Sequence, residues 1–110
     1  MVKQGDLIWL DFDPQTGHEQ KGRRPALVVS NAAFNRFSSL VFVCPVTNTD
    51  KKHPFHVKLD KSTKITGFIL TDQAKMIDIK ARNYEFIEKV SDDILREVLD
   101  ILSGFIEMEN

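Results

Sequence analysis

The chain is poor in most features that would mark a special class of protein. It has one cysteine, Cys44, in 110 residues, so no internal disulfide can form and a reducing compartment is expected. With five glycines and four prolines, the chain shows no internal repeat and no low-complexity segment. No apolar run approaches the ~20 residues that span a bilayer. The opening Met1-Val2-Lys3-Gln4-Gly5-Asp6 lacks the apolar stretch of a signal peptide. A cytoplasmic protein with no membrane partner is expected. Charge of one sign is missing too: 15 Lys and Arg against 16 Asp and Glu leave a net charge of -1. Any nucleic-acid partner would have to be held by a local basic patch rather than by bulk charge.

Recognisable metal and nucleotide signatures are also absent. The three histidines, His18, His53 and His56, share no metal-ligand spacing with Cys44 or with a carboxylate cluster, so no metal is expected. There is no nucleophile-elbow pattern and no Walker-type phosphate loop, and no cofactor is expected.

What remains is a chain of single-domain size, residues 1-110, with 42% hydrophobic residues. A domain this small hides roughly 60–70% of the surface its unfolded chain exposes, so self-association would help it. Leu7 to Phe12 reads as a strand, with Ile8, Leu10 and Phe12 on one face, and Asp13-Pro14 ends it. A polar loop is expected from there to Arg24. Ala26 to Ser30 suits a buried strand. Asn31 to Phe37 permits one helical turn capped by Asn31 or Ser30.

Further strands are expected at Leu40–Val46, with Pro45 at a bulge or edge, and at Gly67–Thr71, Lys75–Ile79 and Phe86–Val90. Phe55 to Leu59 alternates Phe55, Val57 and Leu59 inward with His56 and Lys58 outward. Ser91 to Ile106 is a helix, capped by Ser91, with Asp92 and Asp93 in the first turn where the helix dipole favours negative charge. The sum is a mainly β fold with α: a small curled sheet or half-barrel of short strands with a terminal helix against it.

Three polar breaks could carry chemistry. Gly17 to Pro25 packs His18, Glu19, Lys21, Arg23 and Arg24 between two strands. Thr47-Asn48-Thr49-Asp50-Lys51-Lys52-His53 follows a buried strand directly, and Asp72-Gln73-Ala74-Lys75 separates two apolar runs. Each could equally be a solvated loop or hairpin turn. Cys44 alternates with apolar neighbours and reads as a packed core thiol.

The chain resembles the MazF/PemK family of toxin endoribonucleases over essentially its whole length. Gly5-Asp6-Leu7-Ile8-Trp9-Leu10-Asp11-Phe12-Asp13-Pro14 looks like the family's first strand, and the run Gly17 to Ser30 like its signature loop and second strand. Pro45-Val46-Thr47 matches its Pro-x-Thr, and Asp72-Gln73-Ala74-Lys75 its Asp-Gln-x-Lys/Arg. The resemblance implies an SH3-like barrel with a C-terminal helix and a homodimer. It implies sequence-specific cleavage of single-stranded RNA without metal, and inhibition by an antitoxin whose acidic flexible tail blocks the RNA groove. Carried over residue by residue, Arg24 and Thr47 match the catalytic pair, with His18 and Asp72 as weaker candidates. Leu70 stands where Kid-type members place an arginine two residues before Asp72, which departs from their triad. RNA contacts would come from Glu19, Gln20, Lys21, Arg23, Asn48, Lys51, Lys52, Gln73 and Lys75.

Residue chemistry fits such a reaction. RNA carries its own nucleophile, the 2′-OH. A guanidinium fork and a threonine hydroxyl suit the phosphate oxygens that gain charge during attack. A guanidinium stays protonated near neutral pH, so Arg24 is a poor base and is expected to act electrostatically, or as a donor to the leaving 5′-oxygen. A gyrase-poisoning toxin of the same fold, like CcdB, is disfavoured: the chain ends Glu107-Met108-Glu109-Asn110, without that family's terminal Trp-Gly-Ile. A non-catalytic RNA-binding relative is the other alternative.

Overall fold

The computed structural model describes residues 1–12 and 22–110. Its strands are β1 (Asp6–Phe12), β2 (Gly22–Val28), β3 (Val41–Thr47), β4 (His56–Lys58), β5 (Phe68–Leu70), β6 (Lys75–Ile77) and β7 (Glu85–Lys89). Two helices, α1 (Ala32–Phe37) and α2 (Asp92–Phe105), and two 3-10 turns, Thr71–Gln73 and Ile79–Arg82, complete the order. All strand pairs are antiparallel. The sheet runs β4-β5-β3-β2-β1-β7, with β6 paired to β3. Among the described residues β4 and β7 each have one neighbour, so the expected barrel is a curled sheet that does not close. No helix among these residues is long and apolar enough to cross a membrane.

Period-2 alternation gives this sheet two apolar faces. Leu7, Leu27, Val29, Cys44, Val46, Val57 and Ile69 point to one side and form a core with Ile94 and Val98 of α2. Ile8, Leu10, Phe12, Ala26, Val28, Val41 and Val43 point to the other, where Ile77 and Ile79 join them. A strand buried on both faces must be apolar nearly throughout, which accounts for the unbroken Ala26–Val29 run. The α2 helix starts where expected: the Ser91 side chain accepts from the Ile94 N–H at 3.3 Å. Asn31 rather than Ser30 caps α1, accepting from the Phe34 N–H at 3.0 Å.

Several expected boundaries move. β2 begins at Gly22, so Arg23 and Arg24 lie in a strand, opposite Asp11 and Leu10, rather than in a loop. Pro25 is tolerated there because it faces Trp9 on β1 and precedes the stretch, Ala26–Val28, that pairs with β3. β3 runs on through Thr47. Pro45 sits where the outer partner of β3 changes from β6, at 41–43, to β5, at 46–47, a position that requires no ladder donor on that side. Val57 and Leu59 are buried as expected, but Phe55 is exposed. The His56 side chain is only 4% exposed, against the outward placement its alternation suggests, because it packs on Asp72.

Candidate functional site

Strand register assembles the site. β2 and β3 pair as Ala26↔Pro45, Leu27↔Cys44 and Val28↔Val43. Continued toward the other end of β2, that register brings Arg24 level with Thr47. Arg24 lies opposite Leu10, and Thr47 alternates in step with Val41 and Val43, so both side chains belong to the face of the second core. Lys75, opposite Val43, shares this face, and its Nζ stands 5.2 Å over the Phe12 ring. Phe12 pairs with Gly22 at the end of the β1–β2 ladder, two residues before Arg24.

Thr47 is 5% exposed, and its Oγ1 accepts from the Thr49 N–H at 3.2 Å. One lone pair is thereby occupied, while the hydroxyl also has a hydrogen to give, the polarity a phosphate oxygen requires. The backbone of β5 closes on this point. Gly67, at φ +141°, leaves room where a Cβ would stand 2.8 Å from the Thr47 carbonyl oxygen and from Val46 Cγ1.

Other expected contacts divide. Arg23 points to the opposite face from Arg24 and is engaged with Asp11 at 3.0 Å, Glu85 at 3.3 Å and the Asn83 carbonyl at 2.9 Å. Asn48 Oδ1 accepts from Thr66, and Lys52 pairs with Asp50 at 3.1 Å. Lys51 is exposed, and Gln73 closes the 3-10 turn. His18, Glu19, Gln20 and Lys21 lie outside the described residues.

Asp72 lies with residues of the α2 side. It lines a cavity of about 490 Å³ on the α2 side, with Val29, Phe42, Leu99, Phe105 and Ile106. Its partners are the two histidines that sequence reasoning passed over. His56 Nε2 is 2.8 Å from Asp72 Oδ1, His53 Nε2 is 3.7 Å from Oδ2, and the rings stack with centroids 4.4 Å apart. The three-residue step between the histidines was visible in the sequence; the carboxylate sixteen residues after His56 was not. Burial pushes the Cys44 thiol up to about 12, and the Asp72 charge adds to the rise. That thiol is therefore packing, not a nucleophile.

A small curled β-sheet with an arginine and a threonine on one face, backed by one terminal helix, matches a known class. Residues 3–106 match the model of the PemK-like, MazF-like toxins of type II toxin-antitoxin systems, and the chain belongs to that family. It is 42% identical over 109 residues to endoribonuclease PemK of Escherichia coli, covering 96% of this chain and 82% of that one. It is 44% identical over 78 residues to endoribonuclease toxin MazF of Escherichia coli K12, covering 71% and 69%. Among solved structures, MazF from Deinococcus radiodurans superposes with a TM-score of 0.89 at 41% identity, covering 97% of each chain. A MazE-MazF structure from the same organism gives 0.85 at 38% identity, covering 98% of each.

Proposed function

We propose that this protein is a sequence-specific endoribonuclease toxin that cleaves single-stranded RNA without a metal ion. The observation that supports this is that Arg24, Thr47 and Lys75 share one face of the sheet, in a chain whose relatives are named endoribonucleases. The 2′-oxygen attacks the adjacent phosphorus and the bond to the 5′-oxygen breaks. The products are a 2′,3′-cyclic phosphate and a 5′-OH. Arg24 binds the non-bridging oxygens as they gain charge, and Thr47 donates a further hydrogen bond to them. Lys75 holds a flanking phosphate. The 2′-OH proton passes to a base, and the 5′-oxygen takes one from Arg24 or water. His18, between β1 and β2 in the sequence, is the candidate base. Asp72 is a weaker one, because its contacts lie with His56 and the α2 side.

The enzyme works as a homodimer in the cytoplasm. A cognate antitoxin covers the RNA face with an acidic flexible segment. MazE-MazF complexes among the similar structures support that partner.

The test is incubation of the purified protein with a long mixed-sequence RNA in EDTA, with mapping of 5′-OH ends. Cleavage at a short recurring sequence is expected. Absence of cutting, or cutting only with an added divalent ion, overturns the proposal. Arg24→Ala is expected to lower the cleavage rate by about 10²–10³, the usual cost of one oxyanion donor. Wild-type rates in that variant would remove Arg24 from the chemistry.

A further inference from the structure

We infer that His53, His56 and Asp72 form a three-ligand site for a borderline divalent transition metal, with Zn²⁺ as the representative ion. Donor atoms of the three residues all lie within 4.8 Å of one another. Two donors on a tetrahedral Zn²⁺, each about 2.0–2.1 Å from the metal, are about 3.3 Å apart. The observed separations, 2.8 Å from His56 Nε2 to Asp72 Oδ1 and 3.7 Å from His53 Nε2 to Oδ2, straddle that value. Shifts of about half an ångström would bring both distances to it, and the stacked rings, 18° from parallel, would have to turn so that both Nε2 lone pairs converge on the ion. The side chains of His53 and Asp72 are each 37% exposed, which leaves an entry path and an open position for water.

The donor set chooses the ion. Two imidazoles and one carboxylate suit Zn²⁺, Ni²⁺ or Cu²⁺, whereas Mg²⁺ and Ca²⁺ require oxygen ligands. Without metal, both histidines aim Nε2 at the same carboxylate. The Phe55 N–H donates to His53 Nδ1 at 3.2 Å, which leaves the ring proton on Nε2. Ligation moves that proton to Nδ1 at the cost of this one long hydrogen bond. For His56 the same move breaks no hydrogen bond, because its buried Nδ1 has no partner among the described residues. The ion would stand in for the ring protons that now face Asp72. It would also tie the segment following Thr47 to the 3-10 turn after β5. The site is separate from the Arg24–Thr47 face; it shares only Asp72, the weaker candidate base, with the proposed cleavage chemistry, and metal binding is read independently of RNA cutting.

The experiment uses the full chain, stripped with a chelator and dialysed. Zn²⁺ is titrated by calorimetry and against a chromophoric competitor, and thermal melting is followed with and without the ion. One Zn²⁺ per chain is expected, with a raised melting temperature and no response to Mg²⁺. His53→Ala and Asp72→Asn should each weaken Zn²⁺ binding by about tenfold or more. Both change partly exposed side chains, and their melting curves without metal show whether the fold survives. Binding should weaken on acidification, because a protonated imidazole cannot ligate. Failure of the wild type to bind Zn²⁺ overturns the site, as does equal binding by folded His53→Ala and Asp72→Asn.

Discussion

Arg23 and Arg24 are chain neighbours with opposite duties. Alternation along β2 sends Arg23 to Asp11, Glu85 and the Asn83 carbonyl, while Arg24 shares the face of Thr47 and Lys75. The Arg23 ion pairs are largely exposed, so Arg23→Ala should cost within about 1 kcal/mol of stability, measured by urea unfolding. Cys44 carries a second prediction at this scale. Its thiol is held at about 12 in the folded chain against 9.0 for an ordinary cysteine. The folded state therefore keeps its proton where the unfolded state loses it. This contribution to stability is whole below pH 9 and declines as pH climbs from there toward 12. Cys44→Val should flatten that alkaline decline, and the native thiol should resist aromatic disulfide reagents near pH 8. Rapid labelling of the folded protein would contradict its burial.

At the scale of elements, β3 organises the molecule. It pairs with β2 on one side and with β6 and then β5 on the other, and it ends in Thr47. Gly67 makes the last pairing possible. Gly67→Ala would drive a Cβ to 2.8 Å from the Thr47 carbonyl oxygen at a φ of +141° that side chains rarely adopt. A stability loss exceeding about 1 kcal/mol is expected, together with slower RNA cleavage, although the residue offers no chemistry of its own. Helix α2 is simpler. Removing its cap hydrogen bond with Ser91→Ala should cost about 1 kcal/mol, read from the shift in denaturant midpoint at constant slope.

For the whole molecule, exposed large apolar side chains are spread over the surface, with Phe37 on α1, Phe86 on β7 and others at the end of α2. Phe105 and Ile106 are exposed, and Phe105 meets Phe55 edge-on at 4.9 Å between ring centroids. A homodimer covering such surface would make the melting temperature rise with protein concentration. A concentration-independent midpoint and a monomeric mass in solution would count against it. RNA affinity should fall as salt rises, since phosphate contacts release counterions.

Sequence by itself determined what depends on local periodicity and local hydrogen bonding. The β1 alternation, the Val-rich β3 run, the Ser91 cap and the stripe of α2 are all written within a few residues of where they act, and the ordered motifs pointed to the family. The boundary of β2 was not legible, because Arg23 and Arg24 read as loop residues until β1 supplies Leu10 and Asp11 opposite them. Only the tertiary structure decided which polar residues meet. Pairing between strands separated by a helix puts Arg24 and Thr47 on one face. A pairing between β4 and β5, His56↔Leu70, carries His56 to the turn that holds Asp72. Contacts between residues far apart in the chain are fixed by how strands pair, and pairing depends on the burial of both sheet faces at once, which no single segment encodes.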